Sequence, residues 1–423
     1  MRRTGRALTE QSGLLLNESK IRRYDWIIAL TGMAVTFSCL GLGRFSLGML
    51  LPSMGLSLDL NYSQMGLIGT GNFVGYMSSV VLAGIVARVI GARWTVSIGL
   101  VLVGGSMVLV SRATGYAEVM SLYVATGVGS GLANIPMMGL VSRWFSKSNR
   151  GRAAGFILSG NGIAIVFAGL FIPWVNASAG IEGWRTGWLT NGAISLVIAA
   201  VAAVFLRNEP TERAAAPPGN VEMSPVSAEQ SAVKEPKTGK WTMVHLGCVY
   251  ALFGATYAVY ATFIVVTLVS ERGFGENTAG MFWAIVGGLS IFSGPLFGSI
   301  SDRLGRKAGM MLAYAMFAIS YVLVAVDLPN AFLYASIAIF GLTVWSIPTI
   351  MSAAAGDYAG PAGAIKALGF ITLFFGLGQI TGPALAGFTA DISGTFSIAF
   401  WLCAVLSVAA VLLAWFLRSP SEA

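Results

Sequence analysis

The sequence predicts an all-α membrane protein with twelve transmembrane helices in two pseudo-symmetric six-helix bundles. Three observations predict this fold class. Hydrophobic residues make up 56% of the 423-residue chain, charged residues only 10%, and apolar stretches of about 20 residues, long enough to cross a bilayer, recur along it. This composition excludes an ordinary soluble globular protein. Because backbone polar groups in lipid must be satisfied within each segment, the stretches are predicted to be helices rather than strands.

Short segments with charges, glycine or proline separate the apolar stretches and set the boundaries of the predicted helices. The predicted spans are 26–52, 63–86, 94–111, 119–142, 153–175, 186–206, 242–269, 277–300, 308–326, 331–355, 367–390 and 395–417. The first span is too long for the core of a signal peptide, and no small-residue cleavage site directly follows it. We therefore interpret it as a retained helix that follows a cytoplasmic N-terminal tail over residues 1–25.

The distribution of positive charge predicts the orientation of the chain. Of the 26 Lys and Arg residues, only Arg112, Arg185 and Arg272 fall on the predicted outer side, and Arg44 falls within the membrane. Short loops rich in Lys and Arg stay in the cytoplasm, so both termini are predicted to be cytoplasmic, in a multi-pass protein of the inner (cytoplasmic) membrane. The net charge of +8 is explained by this bias and by anionic lipid head groups, so no nucleic-acid partner is expected.

An internal repeat relates the two predicted bundles, 26–206 and 242–417. A Pro-, Ala- and Ser-rich segment, 207–241, separates them and is predicted to be a disordered cytoplasmic linker, and 418–423 is a short cytoplasmic tail. The repeat has a constant offset of 214 residues between matched positions. The matches are Gly66 with Gly280, Gly84 with Gly298, Gly91 with Gly305, Arg152 with Lys366, and Gly155-Phe156-Ile157 with Gly369-Phe370-Ile371.

The segment GSISDRLGRK between spans eight and nine carries a family signature, G-x-x-x-D-R-x-G-R-[RK]. Its matching residues are Gly298, Asp302, Arg303, Gly305 and Arg306. Here the sequence resembles the major facilitator superfamily. The resemblance implies two six-helix bundles around a central cavity and alternating access. RWFSKSNRGRAAGFILSGNGIA, at 143–164, is similar to the monocarboxylate and oxalate/formate-type organic anion porters, and GLGRF in helix one looks like a related bacterial branch.

Charges at the matched loops predict a conformational latch. The first-half counterpart, GIVARVIGAR, departs from the signature because Arg88 stands where the family has Asp. Pairing within a half would place Arg88 near Arg143, and Asp302 near Asp357. Cross-half pairs, Arg88 with Asp357 and Asp302 with Arg143, are favoured on sign and would stabilise the state closed to the cytoplasm. The alternative is that these are solvated loop charges, each pair contributing about 0 to 1 kcal/mol.

Arg44 lies inside the first span and is the candidate substrate-binding residue. It lies eight residues before Pro52, which is about 12 Å below the outer end of the helix. An arginine at this depth should face a water-filled or partnered interior. None of the eighteen Asp and Glu residues lies near the middle of a span, so the sequence predicts a site for an anionic ligand. The alternative is a side chain that reaches the outer interface or donates to backbone carbonyls.

Polar and aromatic residues in cavity-lining helices are candidates to share this site. They are Asn72, Asn134, Tyr257, Tyr260, Trp345, Ser346 and Gln379. The alternative for each is packing, or a hydrogen bond that joins two helices. Because an arginine binds a carboxylate through paired donors and the other walls are apolar, the predicted substrate is a small organic monoanion or dianion. A monocarboxylate is favoured because a single cation is present.

Several functions stay open at this stage. His245, near the inner start of helix seven, is either an interfacial residue or a proton relay, so anion exchange, uniport and transport with a proton are all possible. Efflux of lipophilic drugs and a non-transporting membrane sensor are the alternatives on the same fold. An enzyme is not predicted, and no metal or cofactor is expected, because one His and three membrane Cys assemble no catalytic or metal-binding set.

Overall fold

The computed structural model of the protein describes residues 24–146, 149–209 and 240–417, without the side chains at 240, 361, 362 and 365. Most of the predicted N-terminal tail and linker, and the predicted C-terminal tail, therefore lie outside the described residues.

The described chain forms eleven continuous helical segments that are long and apolar enough to cross a membrane, and one of them, Arg150–Phe205, consists of two α-helices, which gives twelve helices in all. They are α1 Tyr24–Ser57, α2 Tyr62–Ile90, α3 Ala92–Val110, α4 Tyr116–Trp144, α5 Arg150–Ala179, α6 Gly183–Phe205, α7 Trp241–Glu271, α8 Glu276–Leu304, α9 Arg306–Ala325, α10 Asn330–Gly360, α11 Lys366–Ser393 and α12 Ser397–Trp415. One turn of 3₁₀ helix, Gly180–Glu182, joins α5 to α6. Each predicted span lies within one of these helices to within two residues, and the predicted fold class is confirmed.

The repeat in the sequence is also a repeat in backbone geometry. Gly91 ends α2 with φ 84° and ψ 156°, and Gly305, its match 214 residues later, ends α8 with φ 89° and ψ 156°. A positive φ of this kind is open to glycine and strained for other residues. The glycine of the family signature is therefore a helix stop that lets the chain turn directly into the next helix.

Three helices depart from regular α geometry. α1 contains a π-helical segment, Phe37–Phe45, and α7 ends in another, Thr267–Glu271. α10 is interrupted after Thr343.

The first half of the protein is α1–α6 and the second half is α7–α12. We call the face that holds the end of α6 and the start of α7 the linker face, and the opposite face the distal face. Close glycine contacts join the halves toward the distal face, where a Cβ on Gly66 would overlap the Pro383 carbonyl oxygen and a Cβ on Gly280 would overlap the Gly169 carbonyl oxygen. Helices α2 and α8 therefore pack against α11 and α5 at backbone distance.

Hydrogen bonds also join the halves at the distal face. The Asp391 carboxylate accepts the backbone N–H groups of Tyr62 at 2.8 Å and Ser63 at 3.0 Å, at the start of α2. Asn176 Nδ2 donates to Glu276 Oε2 at 2.7 Å. A carboxylate at a helix N-terminus is favoured by the helix dipole. The distal face is therefore closed by contacts between the halves.

Glycines nearer the linker face are not packed in this way. A Cβ on Gly84, Gly155 or Gly369 would meet no described atom within 4 Å. These three positions belong to the same repeat as the packed distal glycines. At these three positions α2, α5 and α11 therefore lack the close packing that the distal glycines make.

Candidate functional site

Arg44 lies in the π-helical segment of α1, one residue before its end. A π segment inside an α-helix is rare and occurs frequently at functional sites, because it widens one turn and changes the direction of the residues that follow. The side chain of Arg44 is partly buried among helices α1, α2 and α4. The Arg44 side chain of this apolar helix therefore points toward the interior of the protein.

Asn72 on α2 holds the Arg44 side chain. Arg44 Nε donates to Asn72 Oδ1 at 3.3 Å, and Asn72 Nδ2 donates in turn to the Gly43 carbonyl oxygen at 3.3 Å. The Tyr123 hydroxyl donates to the Arg44 carbonyl oxygen at 3.2 Å. Asn72 is 1% exposed. Both ends of its amide contact α1, and Nδ2 also donates to the Tyr123 carbonyl oxygen of α4 at 3.5 Å. Asn72 therefore holds the Nε end of the arginine, and substrate binding by Asn72 stays a prediction.

Two aromatic rings flank the guanidinium group. The Arg44 Cζ atom lies 4.6 Å from the centroid of the Phe73 ring and 4.9 Å from that of the Tyr76 ring. Both distances are within the range of cation–π attraction. The rings replace part of the water that a guanidinium loses inside a membrane protein.

Arg44 nevertheless keeps an unsatisfied donor. Its Nη2 atom is buried and has no hydrogen-bond partner among the described residues. No described carboxylate oxygen lies within 4.0 Å of its nitrogens. The cavity beside it, bordered by Asn72, Phe73 and Tyr123, has room for about one water molecule. A buried cation without a counter-ion is costly, so this donor is available to an anionic ligand.

The second half contributes aromatic and amide groups to the same region. The Tyr257 hydroxyl, 1% exposed, accepts a hydrogen bond from Gln379 Nε2 at 2.7 Å and interacts with Arg44. The Trp345 ring lies 6.4 Å from the Tyr257 ring and 5.9 Å from Phe45 of the first half. We call Arg44, Asn72, Phe73, Tyr76, Tyr257 and Trp345 the arginine site. Four of these six residues are candidates from the sequence.

The other candidates lie around this site at different depths. Asn134 Nδ2 donates to the Tyr76 hydroxyl at 3.0 Å, and its Oδ1 is buried without a partner. The Ser346 hydroxyl is also buried without a partner in the described chain. Asn134 thus joins the arginine site through Tyr76. For both residues substrate binding stays a prediction.

Tyr260 and His245 are occupied by contacts within the second half. The Tyr260 ring stacks on Phe340 at 3.8 Å between centroids, and its hydroxyl pairs with Ser336 at 3.0 Å. His245 Nε2 lies 2.8 Å from the Leu413 carbonyl oxygen, so this nitrogen donates to it. Substrate binding by Tyr260 stays a prediction, and a proton relay at His245 stays one of two alternatives.

Phe73 and Tyr76 are residues that the sequence reasoning missed. They follow Asn72 by one and four residues on α2, and residues four apart on a helix lie on the same face. Extending the search by one turn from Asn72 would have found Tyr76. Trp283, whose indole Nε1 donates to the Phe45 carbonyl oxygen at 3.2 Å across the two halves, has no comparable signal in the sequence.

Charges at the linker face pair within their own halves in this structure. Arg306 of the signature contacts Asp302 at 2.5 Å and Asp357 at 2.6 Å. Arg143 lies 3.9 Å from Glu209, and Arg88 Nε donates to the Gly84 carbonyl oxygen at 3.3 Å. Arg306, four residues after Asp302, was not among the predicted latch residues. The cross-half pairs were predicted for the state closed at this face, and they stay a prediction.

The remaining signature residues have structural positions on α8. Gly298 faces Thr349 of α10, whose Cγ2 would lie 3.3 Å from an added Cβ. Arg303 is exposed in the last turn of α8.

Comparison with known proteins gives matches over nearly the whole chain. A family model described as Major Facilitator Superfamily matches residues 33–307 and 246–423. The chain is 25% identical over 393 residues to the hexuronate transporter of Bacillus subtilis (strain 168), covering 88% of this chain and 89% of the relative. It is 25% identical over 392 residues to monocarboxylate transporter 11 of Homo sapiens, covering 90% and 80%. It is 22% identical over 384 residues to a probable sulfoacetate transporter of Cupriavidus necator, covering 86% and 87%.

Solved structures share the fold. A D-xylose-proton symporter matches with a TM-score of 0.75 and 15% identity, over 95% of this chain and 99% of that chain. A bacterial homologue of the human lysosomal transporter Spinster, in an inward-facing and occupied conformation, matches with a TM-score of 0.75 and 14% identity, over 94% and 96%. At these identities the likeness concerns the fold alone.

Proposed function

Because this chain belongs to the Major Facilitator Superfamily, a family of membrane transporters, we propose that it carries a small organic anion, a monocarboxylate in the simplest case, by alternating access. The observation that carries this proposal is the buried Arg44 Nη2, which has no partner in the described chain. A transported anion would supply the missing counter-charge. The substrate and the lipid bilayer are the partners that this function requires, with a co-transported proton or an exchanged anion as the coupling partner.

The geometry of the arginine site suits a carboxylate. Asn72 engages Nε of Arg44, and the buried Nη2 has no partner among the described residues, so Nη2 is available to a carboxylate oxygen. The Phe73 and Tyr76 rings limit access of water to the group, which strengthens an ion pair made there. Tyr257, on the second half, interacts with the Arg44 side chain. The names of three relatives, which denote transporters of hexuronate, monocarboxylate and sulfoacetate, support the class of organic anions.

A ligand screen tests the proposal. Purified protein is heated with monocarboxylates, amino acids or cationic dyes, and we expect monocarboxylates to raise the melting temperature because a ligand that binds the folded state stabilises it. At a concentration of 100 times Kd the stabilisation is about 2.7 kcal/mol. Stabilisation by dyes alone would contradict the anion site and favour drug efflux. Binding of carboxylates without uptake into vesicles would favour a sensor.

We further propose that the linker face lies in the cytoplasm and that Arg88, Arg143, Asp302 and Asp357 form its latch. Each of these charges has a partner within its own half here. Two carboxylates share the single Arg306, so an incoming cation from the first half would improve their charge balance. Closure of the linker face would bring Arg143 close to Asp302 and Arg88 close to Asp357.

Charge reversal tests the latch. Asp302→Lys should lower transport and favour the state open at the linker face, because it places a cation opposite Arg143. The double variant Asp302→Arg with Arg143→Asp should restore part of the transport. Uptake into vesicles is the measurement, and Glu209→Gln is the matched control, since it removes only the partner that Arg143 has in this structure. A double variant no better than the worse single variant would refute the pairing.

A further inference from the structure

We infer that the anion bound at the arginine site carries a flat, unsaturated body, which makes the substrate an aromatic carboxylate rather than a sugar acid. This inference rests on the proposed carboxylate site. It concerns the part of the ligand that Arg44 does not contact.

Aromatic rings from both halves converge on the arginine site. Phe73 and Tyr76 flank the guanidinium from α2. Trp345 reaches across from α10 to Phe45, the residue next to Arg44, at 5.9 Å. Tyr76 and Trp345 are only partly buried. If the carboxylate of a ligand binds Arg44, the rest of the ligand lies beside these rings.

A stack of nearly parallel rings continues from Tyr257 along α7 and α11. The Phe375 ring lies 4.5 Å from Tyr250 with 15° between planes, and 6.0 Å from Tyr257 with 17° between planes. Phe375 is partly buried, whereas Tyr257 is covered. Offset stacking at these distances is a favoured arrangement of aromatic rings. The stack therefore presents flat apolar surface of the kind that accepts another flat ring.

Polar groups near the arginine site are mostly used within the protein. The Gln379 amide donates to Tyr257, Thr262 Oγ1 to the Ala258 carbonyl at 2.7 Å, and Thr70 Oγ1 to the Ile380 carbonyl at 2.9 Å. Asn134 Oδ1, next to Tyr76, and the Ser346 hydroxyl, next to Trp345, have no hydrogen-bond partner among the described residues. A sugar acid carries more hydroxyl groups than these two atoms can serve, so it would lose hydrogen bonds to water at the others without replacement.

Three monocarboxylates with a six-membered ring separate the possibilities: benzoate, cyclohexanecarboxylate and galacturonate. Benzoate and cyclohexanecarboxylate have the same charge and ring size, but only benzoate is flat. We expect benzoate to bind purified protein about 2- to 10-fold more tightly than cyclohexanecarboxylate, which is the affinity equivalent of one aromatic pair. Galacturonate should bind more weakly than both. Equal binding of the two rings, or tightest binding of galacturonate, would overturn the inference but leave the anion site standing. Binding of none would refute the proposed function itself.

Variants locate the preference. Trp345→Leu should bring the benzoate-to-cyclohexanecarboxylate ratio close to one, and Phe375→Leu serves as the second variant if the first does not fold. Trp174→Leu is the matched control, because Trp174 is a tryptophan of α5 that is 67% exposed. Its ratio should equal that of the parent. A ratio that survives both Trp345→Leu and Phe375→Leu would show that these rings do not recognise the ligand.

Discussion

Replacing Arg44 with alanine should abolish saturable carboxylate uptake into vesicles while the melting temperature stays near that of the parent. Removal of this cation strands no carboxylate, since none of the described carboxylates pairs with it. Asn72 loses one hydrogen bond of 3.3 Å, but the folded state no longer contains a buried, unpaired charge, which is unfavourable. Uptake and thermal unfolding measured on the same preparation check the expectation.

Conservative variants separate the counter-charge from a structural role. Arg44→Lys should lower uptake efficiency about 10- to 100-fold, because lysine keeps the charge but loses the planar donor fork. Arg44→Gln should be inactive. If Arg44 instead only tied α1 to its neighbours, Arg44→Gln would behave like the parent and Arg44→Ala would lose stability and uptake together. Arg112→Ala is the control, since Arg112 is an exposed arginine of the distal loop after α3.

Enlarging Gly280 should prevent the distal face from closing. In Gly280→Val the new side chain would overlap the Gly169 carbonyl oxygen and the Pro173 ring, both on α5. Overpacking of this kind costs about 1 to 3 kcal/mol, which separation of the two halves would relieve. We expect transport to fall at least about 10-fold, because a transporter held open on one side cannot complete its cycle.

Spin-label distances across the distal face measure this opening. Labels at Leu56 and Ile392, which are 75% and 73% exposed and belong to different halves, should move apart in Gly280→Val, in a background without the native cysteines. Gly105→Val is the matched control, because a Cβ at Gly105 meets no described atom within 4 Å. An unchanged distance with parent-like uptake would mean that close packing at Gly280 is not needed for the cycle.

The sequence by itself determined the helices and the repeat. Lipid demands long apolar segments with internally paired backbones, so composition and length alone located each helix to within a few residues. The helix stops at Gly91 and Gly305 could be matched from their spacing because each needs a residue that tolerates positive φ. Arg44 was a candidate anion-binding residue because every acidic residue lies toward a helix end or outside the spans, so none could be its counter-ion.

Only the tertiary structure decided which side chains meet Arg44 and what each one does. Helices in a membrane protein are apolar on nearly all faces, so their sequences give little information on which face turns inward. The π-helical segment Phe37–Phe45 further changes the angular positions of α1 residues relative to a regular helix. The packing of α1 against α2 therefore lets Asn72 accept a hydrogen bond from Arg44 and places the Tyr76 ring against the Arg44 guanidinium. At the linker face, the rotation of the helices likewise places Arg306 within reach of both Asp302 and Asp357. The signs of the charges alone do not predict that one arginine pairs with two carboxylates.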